Sequence, residues 1–197
     1  YGTFGSFSFY PGKNLGAMGD GGCLITDCED SAVKAQMFAR HGGLKKGEHK
    51  IEGINSRLDG MQAAILNVKL GHIQNWTNKR IEIANMYNDR LKEISNIKLP
   101  FLDNSSSHVY HLYVISLIDG SRDELKKYLK EQGIDTIINY PISLPYLECY
   151  RHLNHQKEDF PNAYTNHSQI LSLPIFPEMS LKEQDYVIEK IKSFYKD

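Results

Sequence analysis

The feature that most constrains this chain is a lysine set between two glycine-rich turns, in the stretch Ser6-Phe7-Ser8-Phe9-Tyr10-Pro11-Gly12-Lys13-Asn14-Leu15-Gly16-Ala17-Met18-Gly19-Asp20-Gly21-Gly22. The stretch opens with strand-like alternation: Phe7 and Phe9 fall on one side, Ser6, Ser8 and Tyr10 on the other. Pro11-Gly12 breaks the strand directly before Lys13. A second glycine cluster follows, and then the apolar run Cys23-Leu24-Ile25, which reads as a second strand folding back on the first. Lys13 is therefore expected on a loop leaving a buried strand, where the glycines let backbone come close to a ligand. A lone lysine beside a glycine is usually no more than a solvated charge on a hairpin. The words around this one decide the matter.

At 197 residues the chain is long enough for one large domain or two small ones. Its net charge of -1 gives no reason to expect nucleic acid or an anionic membrane as partner. No apolar run approaches the roughly 20 residues of a membrane span, and no signal peptide pattern opens the sequence. A cytoplasmic protein is the expectation. Cys23, Cys28 and Cys149 are odd in number and scattered, which suits a reducing compartment, and all three are read as packing residues. No metal site is expected: Cys23 and Cys28 lack a second pair to complete zinc ligation, and His152 and His155 lie in a polar stretch and read as surface residues.

Further along, Asp27 to Asp30 should start a helix ending near His41-Gly42-Gly43. Leu44 to Ile54, charged and bounded by glycine, reads as a long mobile loop, either a lid or a plain surface excursion. Ser56 opens a helix with a stripe through Leu58, Met61, Ala64, Ile65, Val68 and Leu70. A long amphipathic helix begins at Trp76, with Ile81, Ala84, Tyr87, Leu91 and Ile94 recurring every three or four positions. Pro100 to Ser107 is a polar linker and marks the expected domain boundary. From His108 to Ile118 both faces are apolar, as in a central strand. Ser121 and Glu124 form a capping-box pattern opening a helix that stops at Gly133, and Ile134 to Tyr140 reads as a returning strand. A helix over Pro161 to Leu171, an extended run Ser172 to Pro177, and a last helix introduced by Ser180 and Glu183 complete the chain.

The segment Ser8 to Ala17, with Gly19-Asp20-Gly21-Gly22 after it, closely resembles the Schiff-base segment of the DegT-like sugar-nucleotide aminotransferases, a branch of the fold-type-I enzymes that depend on pyridoxal 5'-phosphate (PLP). Gly53-Ile54-Asn55-Ser56-Arg57-Leu58-Asp59-Gly60-Met61-Gln62-Ala63-Ala64 and Tyr110-His111-Leu112-Tyr113-Val114-Ile115 resemble two further words of that family, in the right order. The resemblance covers nearly the whole chain. It implies an α/β fold made of the remainder of a large αβα domain, residues 1–75, a connecting helix and linker, residues 76–100, and a smaller α/β C-terminal domain, residues 101–197. It also implies a long N-terminal portion before Tyr1, carrying the residues that stack on the cofactor and pair with its pyridine nitrogen, so the 197 residues alone are expected to be inactive.

An aldehyde cofactor needs an amine that reacts near neutral pH, which desolvation of a lysine favours. By resemblance Lys13 carries PLP and later shuttles a proton, and Ser8 binds the cofactor phosphate. Asn55 reaches the phosphate of the other subunit, so that a homodimer has composite active sites. Tyr10, Arg57 and Tyr140 are candidate substrate contacts. Arg57 and Asp59 can equally form a local ion pair or a helix cap. Asn139-Tyr140-Pro141 and Leu144-Pro145 depart from family words that more often carry histidine. The implied reaction moves an amino group from glutamate or glutamine to a nucleotide-linked keto-deoxysugar, for aminosugar or surface-polysaccharide biosynthesis. The Tyr-Pro-Gly-Lys-Asn variant is similar to that of enzymes acting at C3 of dTDP-linked 3-keto-6-deoxyhexoses. Two alternatives stand beside it: a non-catalytic or regulatory module of the same fold, and a sugar dehydratase, which has histidine where Lys13 stands.

Overall fold

The computed structural model describes residues 2–103 and 105–196. The chain divides into two compact units, Tyr1–Gln74 and Asn75–Asp197.

In the first unit, strands β1 (Gly5–Ser8) and β2 (Gly22–Ile25) pair antiparallel, Gly5 opposite Ile25 and Ser8 opposite Gly22. The expected hairpin is present, but its strands are not buried: Phe7, Leu24 and Ile25 are each more than half exposed. Two strands have too little surface to cover their own apolar side chains without a further layer. The cysteines depart from expectation for the same reason, since Cys23 on β2, Cys28 before the first helix, and Cys149 are all exposed and free.

Helix α1 (Glu29–Ala39) follows β2, with two acidic residues in its first turn as the helix dipole favours. The segment after it is not a loose loop. Lys50 and Ile51 donate their N–H groups to the Gly42 carbonyl, and Ile54 donates to that of Phe38. Gly42 makes this closure possible: its φ is +88°, and a Cβ there would stand 1.6 Å from the Ile51 carbonyl oxygen. Helix α2 (Gly60–Leu70) starts four residues later than expected, because the Asp59 carboxylate accepts the Gln62 N–H at 2.8 Å and caps the first turn.

The second unit is built on a three-stranded antiparallel sheet in the order β3 (Ile97–Lys98), β4 (Tyr113–Leu117), β5 (Ile170–Leu173). Strand β4 is central, as its composition predicts, and Tyr113, Ile115 and Leu117 are completely buried on one face. It is shorter than expected because Tyr110 takes a positive φ of 42°, which ends extended structure N-terminal to it. Helix α3 (Ile73–Leu91) contributes Ile83, Ala84, Tyr87 and Leu91 to the same core. Most of the stretch expected to act as a connector thus also packs in this core, and the two compact units meet at Gln74 and Asn75, within the first turn of α3.

Helices α4 (Arg122–Glu131) and α6 (Leu181–Phe194) place Leu125 and Leu129, and Val187, Ile188 and Ile191, in that core at helical spacing. The capping box at Ser180 and Glu183 forms as expected. The one predicted at Ser121 does not: its hydroxyl donates to Asp119 at 2.6 Å, and its backbone is not in the extended conformation a cap needs. The returning strand over Ile134 to Tyr140 is also absent. Only Ile137 pairs with Ser172, and the strand that completes the sheet is β5, after helix α5 (Pro161–Gln169).

Candidate active site

Lys13 is half-buried on a turn whose geometry is set from both sides. Its own N–H donates to the Tyr10 carbonyl at 2.8 Å, Phe9 donates to Gly21 at 2.8 Å, and Ala17 donates back to Phe9 at 2.7 Å. The base of the turn is therefore closed by backbone alone. Gly16 lies so near Pro11 that a Cβ would come within 2.3 Å of the Pro11 carbonyl oxygen, and Ala17 is buried beneath it. From α2, the Gln62 carboxamide oxygen accepts the Met18 N–H at 2.8 Å, and the Lys69 ammonium donates to the Gly16 carbonyl at 2.6 Å. Neither residue was singled out by sequence reasoning. The only hint was that Gln62 and Lys69 lie seven positions apart on one helix, two turns along the same face.

Ser8 ends β1 in an exposed position, and its hydroxyl oxygen accepts the Tyr10 N–H at 3.3 Å. Its own proton remains available for donation, which is what binding a phosphate oxygen requires. Tyr10 is 58 % exposed. Ser8, Tyr10 and Lys13 are thus brought onto one hairpin end. A primary amine and an outward hydroxyl at that end form a donor set that fits an aldehyde-bearing phosphate ester.

Asn55 is not at the start of a helix. It pairs with Arg40 in an isolated bridge, and its side-chain oxygen accepts the Arg57 Nε–H at 3.0 Å. The open choice for Arg57 and Asp59 resolves accordingly: Arg57 joins Asn55, and Asp59 is the cap. Tyr140 belongs to the second unit and is 67 % exposed, following Asn139, whose oxygen accepts the Ser172 hydroxyl at 2.9 Å.

A groove of about 1120 Å³ lies between the hairpin and α1, lined by Phe7, Leu24, Ile25, Phe38, Ile51 and neighbouring residues, and Lys13 is not part of it. Its apolar walls make it a packing surface. Among the described residues no His, Cys, Asp or Glu group is arranged to hold a metal ion, and no helix is long and apolar enough to cross a membrane.

An α/β chain with a glycine-held lysine and an exposed serine on one hairpin end has the features expected of a PLP-dependent transferase segment. Residues 1–192 match the DegT/DnrJ/EryC1/StrS aminotransferase family, and the chain belongs to it. It is 42% identical, over 99% of its length, to a pleiotropic regulatory protein of Geobacillus stearothermophilus, covering 52% of that protein. It is 35% identical to a dTDP-3-amino-3,4,6-trideoxy-alpha-D-glucose transaminase of Streptomyces venezuelae, over 96% of this chain and 49% of the relative. Among solved structures, S. venezuelae DesV in complex with a ketimine intermediate superposes with a TM-score of 0.93 at 34% identity, covering all of this chain and 53% of that one. Bacillus subtilis NtdA with bound cofactor PMP gives 0.89 at 31% identity, covering all of this chain and 47% of that one. The chain spans about half the length of the relatives it matches, and corresponds to their C-terminal portion. The family is PLP-dependent.

Proposed function

We propose that the full-length protein carrying this chain is a PLP-dependent aminotransferase that moves an amino group from glutamate or glutamine to a nucleotide-linked keto-deoxysugar. The observation that carries this reading is the Lys13 turn, closed by backbone hydrogen bonds and packed at Gly16, which fixes the main chain that carries the lysine. The description of the S. venezuelae relative as a dTDP-amino-sugar transaminase supports the substrate class and, with it, attack at C3 of a dTDP-linked sugar. Residues 1–75 would then be the end of the large cofactor-binding domain and 101–197 the small domain, with 76–100 joining them in sequence. The uncovered apolar face of the hairpin supports the first assignment. A cytoplasmic homodimer with Asn55 serving the partner's site completes the reading.

The cofactor, when bound, supplies the electron sink that stabilises negative charge on the substrate carbon. Lys13 Nζ would be the atom that holds it, and the same amine would take up and return a proton at that nitrogen. The Ser8 hydroxyl donates toward the phosphate. Tyr10, exposed on the same hairpin end, would line the approach; Arg57 and, separately, Tyr140 of the second unit are proposed substrate contacts.

A regulatory module without turnover is a second reading, supported by the description of the Geobacillus relative as a regulatory protein. Lys13 weighs against it, and equally against a dehydratase with histidine at that position. The purified full-length protein should absorb visible light and lose that absorbance on borohydride treatment, with the label recovered on Lys13. Lys13→Ala should abolish transamination of a keto-sugar nucleotide while leaving the fold intact. Turnover above about a hundredth of the parent rate, a loss under roughly 2.7 kcal/mol, would refute the assignment.

A further inference from the structure

We infer that Gln62 and Lys69 are positioning residues: a two-point clamp on one face of α2 that fixes the turn bearing Lys13. The inference rests on the reading of Lys13 as the cofactor-bearing amine. Its physical basis is an accounting of backbone groups. The Gly16 carbonyl and the Met18 N–H lie in a turn with no strand ladder to pair them; Gly16 is buried, so its carbonyl needs a partner within the protein, whereas Met18 is exposed and its N–H is held by a side chain in place of water. Both partners come from α2. Lys69 donates to the Gly16 carbonyl at 2.6 Å, a bond strengthened by the ammonium charge, and Gln62 accepts the Met18 N–H at 2.8 Å.

The helix is itself fixed at this point. The Asp59 carboxylate holds the Gln62 N–H at 2.8 Å, so the clamp residue starts from a capped turn and not a frayed one. The Gln62 amide also lies against Gly19, where a Cβ would meet its nitrogen at 3.1 Å, so the carboxamide packs flush on the backbone after Met18. The contacts fall three and five residues after Lys13, on the side of the turn that the hairpin ladder does not reach. The strand side is set by Phe9, Gly21 and Ala17, and the helix side by the clamp. A lysine committed to a backbone carbonyl in this way does not carry the cofactor. It limits where the amine of Lys13 can go.

The test uses the full-length enzyme with Gln62→Met and Lys69→Met, which keep side-chain length and remove the polar contact, and Gln62→Glu and Lys69→Arg, which restore an acceptor and a donor. Amide exchange is followed without cofactor on the peptide covering Tyr10 to Asp20. Gln62→Met should speed exchange at Met18 by about tenfold, the upper end of what one hydrogen bond holds back. Labelling of Lys13 by pyridoxal 5'-phosphate and borohydride, and kcat, should fall by about tenfold or more in the Met variants, in line with the penalty for misplacing a reacting group. KM for the amino donor should stay unchanged, and Gln62→Glu and Lys69→Arg should recover most of the loss. Exchange and labelling both unchanged in the double Met variant, or a loss that Glu and Arg do not relieve, would overturn the clamp. If the parent enzyme itself takes up no label at Lys13, the reading of Lys13 falls, and the exchange comparison still decides whether α2 holds the turn.

Discussion

Replacing Gly16 with alanine tests the reasoning about the turn with a single methyl group. The added Cβ would stand 2.3 Å from the Pro11 carbonyl oxygen, 2.8 Å from its carbon and 3.0 Å from its Cα, where ordinary contact begins at 3.4 Å. The turn must therefore open by about 1 Å, and the obstacle is main chain, which cannot rotate aside. Nor is the turn free to relax, because Ala17 is tied to Phe9 and Gly16 to Lys69. Overpacking of this kind costs about 1–3 kcal/mol of stability. A reacting group displaced by about 1 Å can lose roughly a hundredfold in rate. In the full-length enzyme Gly16→Ala should lower the denaturation midpoint and cut kcat by about that hundredfold, as measured by chemical denaturation and steady-state transamination. Gly60→Ala is the control: nothing lies within 4 Å of a Cβ there, and the residue opens α2. The same methyl group should leave activity alone and raise stability by up to about 1 kcal/mol through helix propensity. A Gly16→Ala enzyme within about threefold of the parent rate, under roughly 0.7 kcal/mol, with an unshifted midpoint would refute the account of the turn.

Two further outcomes concern the end of the second unit and the assembly. The Ser180 hydroxyl and N–H, both 2.7 Å from the Glu183 carboxylate, hold that carboxyl below its usual range. A depressed folded pKa contributes stability that is present above the unfolded value and is lost as pH falls through the folded one, so Glu183→Gln should destabilise at neutral pH and converge with the parent on acidification; a gap constant with pH would contradict this. On the proposed composite site, mixing full-length Lys13→Ala and Asn55→Ala subunits places both defects in one site and neither in the other. Activity should be partly restored, and no recovery despite demonstrated subunit exchange and a severe defect in each parent variant would assign Asn55 to its own subunit.

Local chemistry made several elements legible from the sequence. The break at Pro11-Gly12, the return at Gly22 and the alternation before it specify a hairpin with Lys13 at its end, because turn residues act within a few positions. The period of Ala84, Tyr87 and Leu91 and the Ser180–Glu183 pair defined α3 and α6 for the same reason. What the sequence left open depended on partners distant along the chain. Ser121 has the form of a cap, yet Asp119 and Tyr195 take its hydroxyl. The run from Ile134 has strand composition, but β5 occupies the ladder beside β4. Lys69 reads as one more solvated charge until folding brings it to a carbonyl 53 positions away. Periodicity and turn chemistry are properties of neighbouring residues and can be read from the sequence, whereas which backbone group lacks a partner, and which side chain supplies one, is decided only when separate segments are packed together.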